Sequence, residues 1–373
     1  MKVFIAGDFC PRGRLASKFD NEEYASVLSE VKAKTSQADY AIVNFECAIN
    51  TGGAKPIDKM GPLRYSSENG MTAIQWAGFN CVTLANNHFY DFGEIGVENT
   101  LNACSRLGID TVGGGRNLTE ASKVLYRQIG DRMLAVINCC ENEFSIATET
   151  SSGSNPLNPI KQYYNILEAR KKADVVLIIV HGGHELFQLP SPRMVETYRF
   201  FIDAGADAVV NHHQHCFSGY EVYKGKPIFY GLGNFCFDNP KRREGIWTEG
   251  YAVAIDFSTS QPWFELHPYI QCAGETCVHF LPQDAYNQRI RQLNDIVADP
   301  EKHREEINQY YARFAEAYSD SFEPFGNRFY LRAKRRGWFP SLLGKKKFLF
   351  YKNHILCESH RDKLSYWLEN SQK

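Results

Sequence analysis

Seven short apolar runs punctuate the first two thirds of the chain: KVFIAGD, DYAIVNFE, NCVTLANNH, MLAVINCC, DVVLIIVHGG, DAVVNHHQH and PIFYGLGNF. Runs of this length, rich in Val, Ile and Ala, read as buried strands. Segments 21–34, 93–107, 158–172 and 191–204 fit amphipathic helices, with apolar residues on one face. Strands alternating with helices predict an α/β domain.

The residues that close these runs are polar in a consistent way. Asp8, Glu46, Asn87-His88, His181 and His213-Gln214-His215 each stand at the carboxyl end of a run, where α/β sheets open their binding crevices. Oxygen and imidazole donors of this kind suit Mn, Fe, Zn or a similar divalent ion. Glu46 could bridge two ions, and two ions together supply a bound hydroxide and stabilise charge in an in-line displacement. His88 precedes Asp91 by three positions, which suits an imidazole oriented by a carboxylate.

Composition narrows the setting. With 373 residues, 43% of them hydrophobic, the chain buries a sizeable core. A net charge of −1 gives no reason to expect a nucleic-acid partner. No apolar run approaches the ~18 residues that a membrane span needs. MKVFIAGDF reads as a first strand without a leader, so a cytoplasmic protein is expected. The 11 cysteines are odd in number and scattered, which reads as reduced, buried thiols.

Composition shifts beyond Gln283, predicting one domain over 1–282 and a helical extension over 283–373. Within the extension, KRRGWFPSLLGKKKFLFYK mixes Lys and Arg with Trp, Phe and Leu. Its open readings are a packed appendage, a peripheral contact with an anionic membrane surface, or a partner-binding arm.

The ordered series GDFCPRGR, VNFECAI, TLANNHFYDFGEIGVENTL, TVGGGRN, VHGGHE, DAGADAVVNHHQH and IFYGLGNFCFD resembles the poly-gamma-glutamate/capsule synthesis family of CapA-type proteins. That family is similar to the calcineurin-like metallophosphoesterases. The resemblance implies a four-layer αββα sandwich and two divalent ions. Asp8, Glu46, Asn87, His181, His213 and His215 then match the metal ligands, with Asp8 and His215 on one ion, His181 and His213 on the other, and Glu46 bridging. His88 matches the general acid, with Asp91 beside it. Arg12, Arg116, Asn117, His184, Glu185, His212 and Asn234 fall on the substrate side of the same motifs.

Several positions depart from the pattern. Asp8-Phe9-Cys10 stands where the phosphoesterases have Asp-x-His, so the first ion loses an imidazole and Cys10 becomes an alternative donor. Glu46 replaces their bridging Asp. Asn211 and Gln214 replace a Gly and a Pro of the capsule family, implying a loop held by hydrogen bonds. His181-Gly182-Gly183-His184-Glu185 lacks the family's Trp, and Leu186 stands where an aromatic residue usually follows. The activity implied is metal-dependent phosphoester hydrolysis on a phosphorylated or anionic glycan-related substrate in capsule or exopolysaccharide synthesis. Amide chemistry on a glutamyl polymer, or a non-catalytic scaffold, are the alternatives.

Overall fold

A computed structural model describes residues 1–314 and 344–370, together with 329, 332–333 and 336–338. Lys334, Arg335, Phe339, Leu342 and Leu343 of the basic-aromatic segment lie outside the described residues. All seven apolar runs form strands, and they divide between two sheets.

In the first sheet Lys2–Phe9, Tyr40–Phe45, Cys81–Thr83 and Asp110–Val112 run parallel, with Glu249–Asp256, Trp263–Gln271 and Val278–Phe280 added antiparallel on one side. The second sheet has Arg132–Cys140, Val175–His181, Ala208–His212 and Lys226–Phe229 in parallel, flanked by antiparallel Leu125–Ile129 and Tyr220–Tyr223. Parallel pairing brings the carboxyl ends of the central strands to one edge.

Side-chain alternation builds the layers. Val3 and Ile5 point between the sheets, where they join Leu177, Ile179 and Val210 in one apolar cluster. Phe4 and Ala6 face outward under helices Tyr24–Thr35, Glu68–Trp76 and Gly93–Leu107. Val176, Ile178 and Val180 face the other way, under Pro159–Arg170 and Pro192–Ala204. The result is a four-layer αββα sandwich, in which each fully buried Val, Ile or Leu contributes roughly 1.5–3 kcal/mol. Asn158 and Ser191 accept backbone hydrogen bonds that start two of these helices, each followed by a proline at the first helical position. All 11 cysteines are free, and only Cys277 is not fully buried.

Lys2–Phe9 changes partner partway along. It pairs antiparallel with Glu249–Asp256 over Lys2 to Ile5 and parallel with Asn234–Cys236 at Asp8 and Phe9. Gly7 makes the switch possible: Asp8 donates its N–H to the Gly233 carbonyl at 3.1 Å, and a Cβ on Gly7 would lie 1.9 Å from that oxygen. Gly7→Ala is expected to destabilise the fold by about 1–3 kcal/mol. A urea titration reads this as a lowered midpoint, and an unchanged midpoint would contradict the close approach.

The extension packs on this sandwich. Helices Asn287–Ala298 and Pro300–Ala312 contribute Ile290 to the inter-sheet cluster and Val297, Ile307, Tyr310 and Tyr311 to the outer one. Glu358–Asn370 is pinned by polar contacts. Arg193 bridges Glu141 (2.8 Å) and Asp362 (3.0 Å), and Glu358 accepts the Asn142 N–H at 2.7 Å. Among the described residues, no helix is long and apolar enough to cross a membrane.

Candidate metal centre

Six residues meet where the two sheets present their strand ends. Asp8 closes Lys2–Phe9, Glu46 follows Tyr40–Phe45, and Asn87 follows Cys81–Thr83. His181 ends Val175–His181, while His213 and His215 follow Ala208–His212. Ligand atoms of Asp8, Glu46 and His215 lie within 4.8 Å of one another, as do those of Glu46, His181 and His213. Glu46 belongs to both groups. Asn87 joins the second, its Oδ1 3.1 Å from His181 Nε2, which is itself 3.0 Å from His213 Nδ1.

The donor chemistry fits cations. Both Glu46 oxygens are buried and lack a hydrogen-bond partner among the described residues, although His215 Nε2, His88 Nε2 and His181 Nε2 stand 3.6, 3.9 and 4.0 Å from Oε1. A carboxylate removed from water in this way is costly unless a cation meets it. Burial, and then the charge of Asp8, push the Glu46 pKa well up. Burial also works to raise Asp8, yet His215, His212 and His181 hold it below the usual carboxylate range. Burial keeps His181 neutral and holds His213 down at about 4, leaving both imidazoles in the form that binds metal.

The loop carrying the histidines is shaped for this. His213 and His215 have φ of 92° and 56°, a left-handed conformation that persists in side-chain-bearing residues only when the surroundings enforce it. Gln214 enforces it by donating to the Phe187 carbonyl at 2.8 Å, and Asn211 Nδ2 donates to the carbonyls of Gly182 and Tyr230 at 2.9 and 3.0 Å. Asn211 and Gln214, the two loop positions expected to act through hydrogen bonds, are the ones that hold it.

Two asparagines orient ligands. Asn44 donates to Asp8 Oδ1 at 2.7 Å and sits 3.2 Å from His181 Nδ1. Asn234 Oδ1 lies 2.9 Å from His215 Nδ1, while its amide donates to the carbonyls of His215 and Trp247. Asn234→Ala is expected to weaken metal retention by about 10–100-fold. Competition with a chelator measures this, and wild-type retention would remove Asn234 from the centre.

Beside the donors, His88 Nδ1 lies 2.7 Å from Asp91 Oδ2. Asp91 is buried and also accepts from Lys59 Nζ at 2.6 Å and from the Arg64 N–H at 2.7 Å. Burial raises the Asp91 pKa to about 7, against the opposing pull of Lys59. Burial and Lys59 together push His88 well down. The Asp91 contact leaves His88 Nε2 directed at the centre.

A cavity of about 500 Å³ opens from this point, its inner lining including Asn87, His88, Glu143, Glu185 and His213. Of the residues expected on the substrate side, Glu185 lines it. The structure places the others differently. His212 is buried, with Nε2 3.0 Å from the Ala6 carbonyl, because the strand period turns it between the sheets. His184 is 3.0 Å from the Tyr311 hydroxyl, and Asn234 is fully buried behind His215. Arg116 is exposed and paired with Glu98 at 2.8 Å, while Asn117 caps the short helix Leu118–Ala121. Arg12 is half-buried on the first loop, outside the cavity lining. Cys10 is buried in the apolar cluster that also holds Cys47, and it falls in neither donor group. Among the described residues, the His, Cys, Asp and Glu donors of the Asp8 group are therefore Asp8, Glu46 and His215.

Asn44, Lys59 and Glu143 were not anticipated. Asn44 had a readable signal, being polar on the inter-sheet face of an otherwise apolar strand, two residues from Ile42 and two from Glu46. Lys59 lies in an irregular Gly- and Pro-rich loop and had none. Glu143, whose Oε1 accepts from Asn87 Nδ2 at 3.3 Å, follows a strand end but carries no recognisable spacing.

Stacked sheets between helices, with buried carboxylates and imidazoles converging at the strand ends, define an α/β sandwich with a cluster of donors that fits metal binding. The chain belongs to the family described as "Bacterial capsule synthesis protein PGA_cap", whose model matches residues 2–239. It is 33% identical to the capsule biosynthesis protein CapA of Bacillus anthracis, over 57% of this chain and 54% of that protein. It is 32% identical to the PGA biosynthesis protein CapA of Bacillus subtilis (strain 168), over 61% of this chain and 60% of that one. The matches thus span little more than half of each CapA protein. Among solved structures, one described as a novel phosphatase, with Mycoplasma pneumoniae in its description, aligns over 72% of this chain and 93% of its own, at 16% identity and a TM-score of 0.46.

Proposed function

We propose that the chain is a metal-dependent phosphohydrolase acting on an anionic, glycan-related phosphoester in capsule or exopolysaccharide synthesis. The observation that carries this reading is the Glu46 carboxylate, shared by two donor groups and without a hydrogen-bond partner among the described residues, beside an imidazole backed by a carboxylate. One ion falls to Asp8, Glu46 and His215, and a second to Glu46, Asn87, His181 and His213. Bound there, divalent ions supply activated water and neutralise charge on the phosphoryl group.

The chain's own residues do the rest. Asn44 and Asn234 fix the ligand side chains. Asp91, its carboxyl pKa raised to about 7, holds His88 with Nε2 facing the reacting bond; as Nε2–H passes its proton to the departing oxygen, Nδ1 takes up the proton of Asp91.

Purified protein loaded with Mn and offered aryl and alkyl phosphates tests the reading. Hydrolysis that disappears on chelation and returns with Mn is expected. Stoichiometric metal without any phosphatase activity would instead favour the scaffold, and cleavage of glutamyl amides would favour the amide alternative.

A further inference from the structure

The outer wall of the cavity comes from outside the matched family region. Tyr310, Phe314, Phe350, Asn353, Ser359 and Lys363 face His88 and His213 across about 500 Å³, a size suited to a small-molecule ligand. Helix Lys345–Leu356 turns Phe350 and Asn353 toward this space. Helix Glu358–Asn370 turns in Lys363, and the Arg193–Asp362 and Asn142–Glu358 contacts hold it there.

Lys363 is unusual among the cations of this region. Its residue is only 7% exposed, and its ammonium stands 4.5 Å from the Phe314 ring centre and 5.5 Å from that of Tyr310. Among the described residues, no carboxylate oxygen lies within 4.0 Å of it; neighbouring Asp362 is taken by Arg193. Lys59, the other lysine of the cavity, is already paired with Asp91. Glu185 shares the cavity and attracts Lys363 through space, but its oxygens stay beyond 4.0 Å of the ammonium, so the two form no contact ion pair. Aromatic faces attract an ammonium without neutralising it, and a buried charge of this kind calls for a counter-charge. Burial correspondingly draws the Lys363 pKa down.

We infer that the C-terminal helices form the outer half of the substrate pocket and that Lys363 binds a second anionic group of the substrate. That group is an oxyanion, phosphate or carboxylate, distinct from the phosphoryl group at the metal centre. The inference rests on the phosphohydrolase reading and narrows its substrates to molecules with two separated negative groups, such as a sugar carrying two phosphates or a phosphate and a uronate.

Non-hydrolysable phosphonates test it by calorimetry on the full, Mn-loaded protein. Phenylphosphonate carries one anionic group; 4-carboxyphenylphosphonate and 1,4-phenylenebisphosphonate carry two, one for each source of the second charge. At least one of the latter pair is expected to bind about tenfold tighter than phenylphosphonate, and the tighter one identifies the group. Lys363→Met should erase that preference, and Lys363→Arg should keep it. A wild-type protein with no preference, or a preference that survives in Lys363→Met, overturns the inference while leaving the phosphohydrolase reading intact. Failure of all three phosphonates to bind loaded protein overturns the phosphohydrolase reading and the inference with it.

Discussion

Glu46→Gln is expected to strip both ions from the protein at once, while stabilising the metal-free chain by about 1–3 kcal/mol. The two effects have one origin. Glu46 is the residue common to both donor groups, and its oxygens are buried without hydrogen-bond partners among the described residues. Gln preserves the volume, so no cavity opens, but it removes the charge that both cations would share. The metal-free protein is relieved of a desolvated carboxylate and becomes more stable. The loss of affinity should exceed the ~10–100-fold typical of removing a group that only orients a ligand. His215→Ala and His181→Ala, by contrast, should each weaken mainly one ion. Elemental analysis together with thermal unfolding, with and without Mn, measures both effects. A Glu46→Gln protein that keeps one full equivalent of metal would show that the carboxylate does not bridge.

The second large effect concerns His88. With Nδ1 held by Asp91 at 2.7 Å and Nε2 facing Glu46 across 3.9 Å, the imidazole is placed to serve a leaving group without itself being needed for metal. His88→Gln is expected to lower kcat about 10²–10⁴-fold on alkyl phosphates, whose leaving oxygen needs a proton. The loss should be much smaller on 4-nitrophenyl phosphate, whose leaving group departs as a stable anion. Metal content should not change. Equal losses on both substrates would exclude proton donation, and a parallel loss of metal would make His88 a ligand.

The parts of this protein that were legible in its sequence share a cause. Central strands buried on both faces must be apolar, so an Asp, Glu or His at the end of such a run stands out. His181 after DVVLIIV is the clearest example, and parallel pairing then gathers these ends together. The strands Glu249–Asp256 and Trp263–Gln271 were not anticipated. Trp263–Gln271 is half solvated toward its start and mixes Glu265, His267 and Pro268 among its apolar residues.

Individual roles were harder to read than positions. His212 and His213 are neighbours in sequence, yet one is turned between the sheets toward Ala6 and the other into the cavity. Only the left-handed backbone at His213, secured by Gln214, separates them. Cys10 looked available as a donor because Asp8-Phe9-Cys10 occupies the place of Asp-x-His, but its side chain belongs to the apolar cluster under the helices. Arg116 matched a motif whose charge is already answered by Glu98 and Glu120. The outer wall was invisible for a different reason: Lys363 is 150 residues from His213 along the chain, and no periodicity or spacing connects them.

Anomalous diffraction from crystals grown with Mn tests the central claim most directly. Two peaks are expected on either side of the Glu46 carboxylate, one facing Asp8 and His215, the other facing Asn87, His181 and His213. A lattice that shows no peak at Glu46, or one whose only peaks lie at other residues, would contradict the assignment of this site as a metal centre.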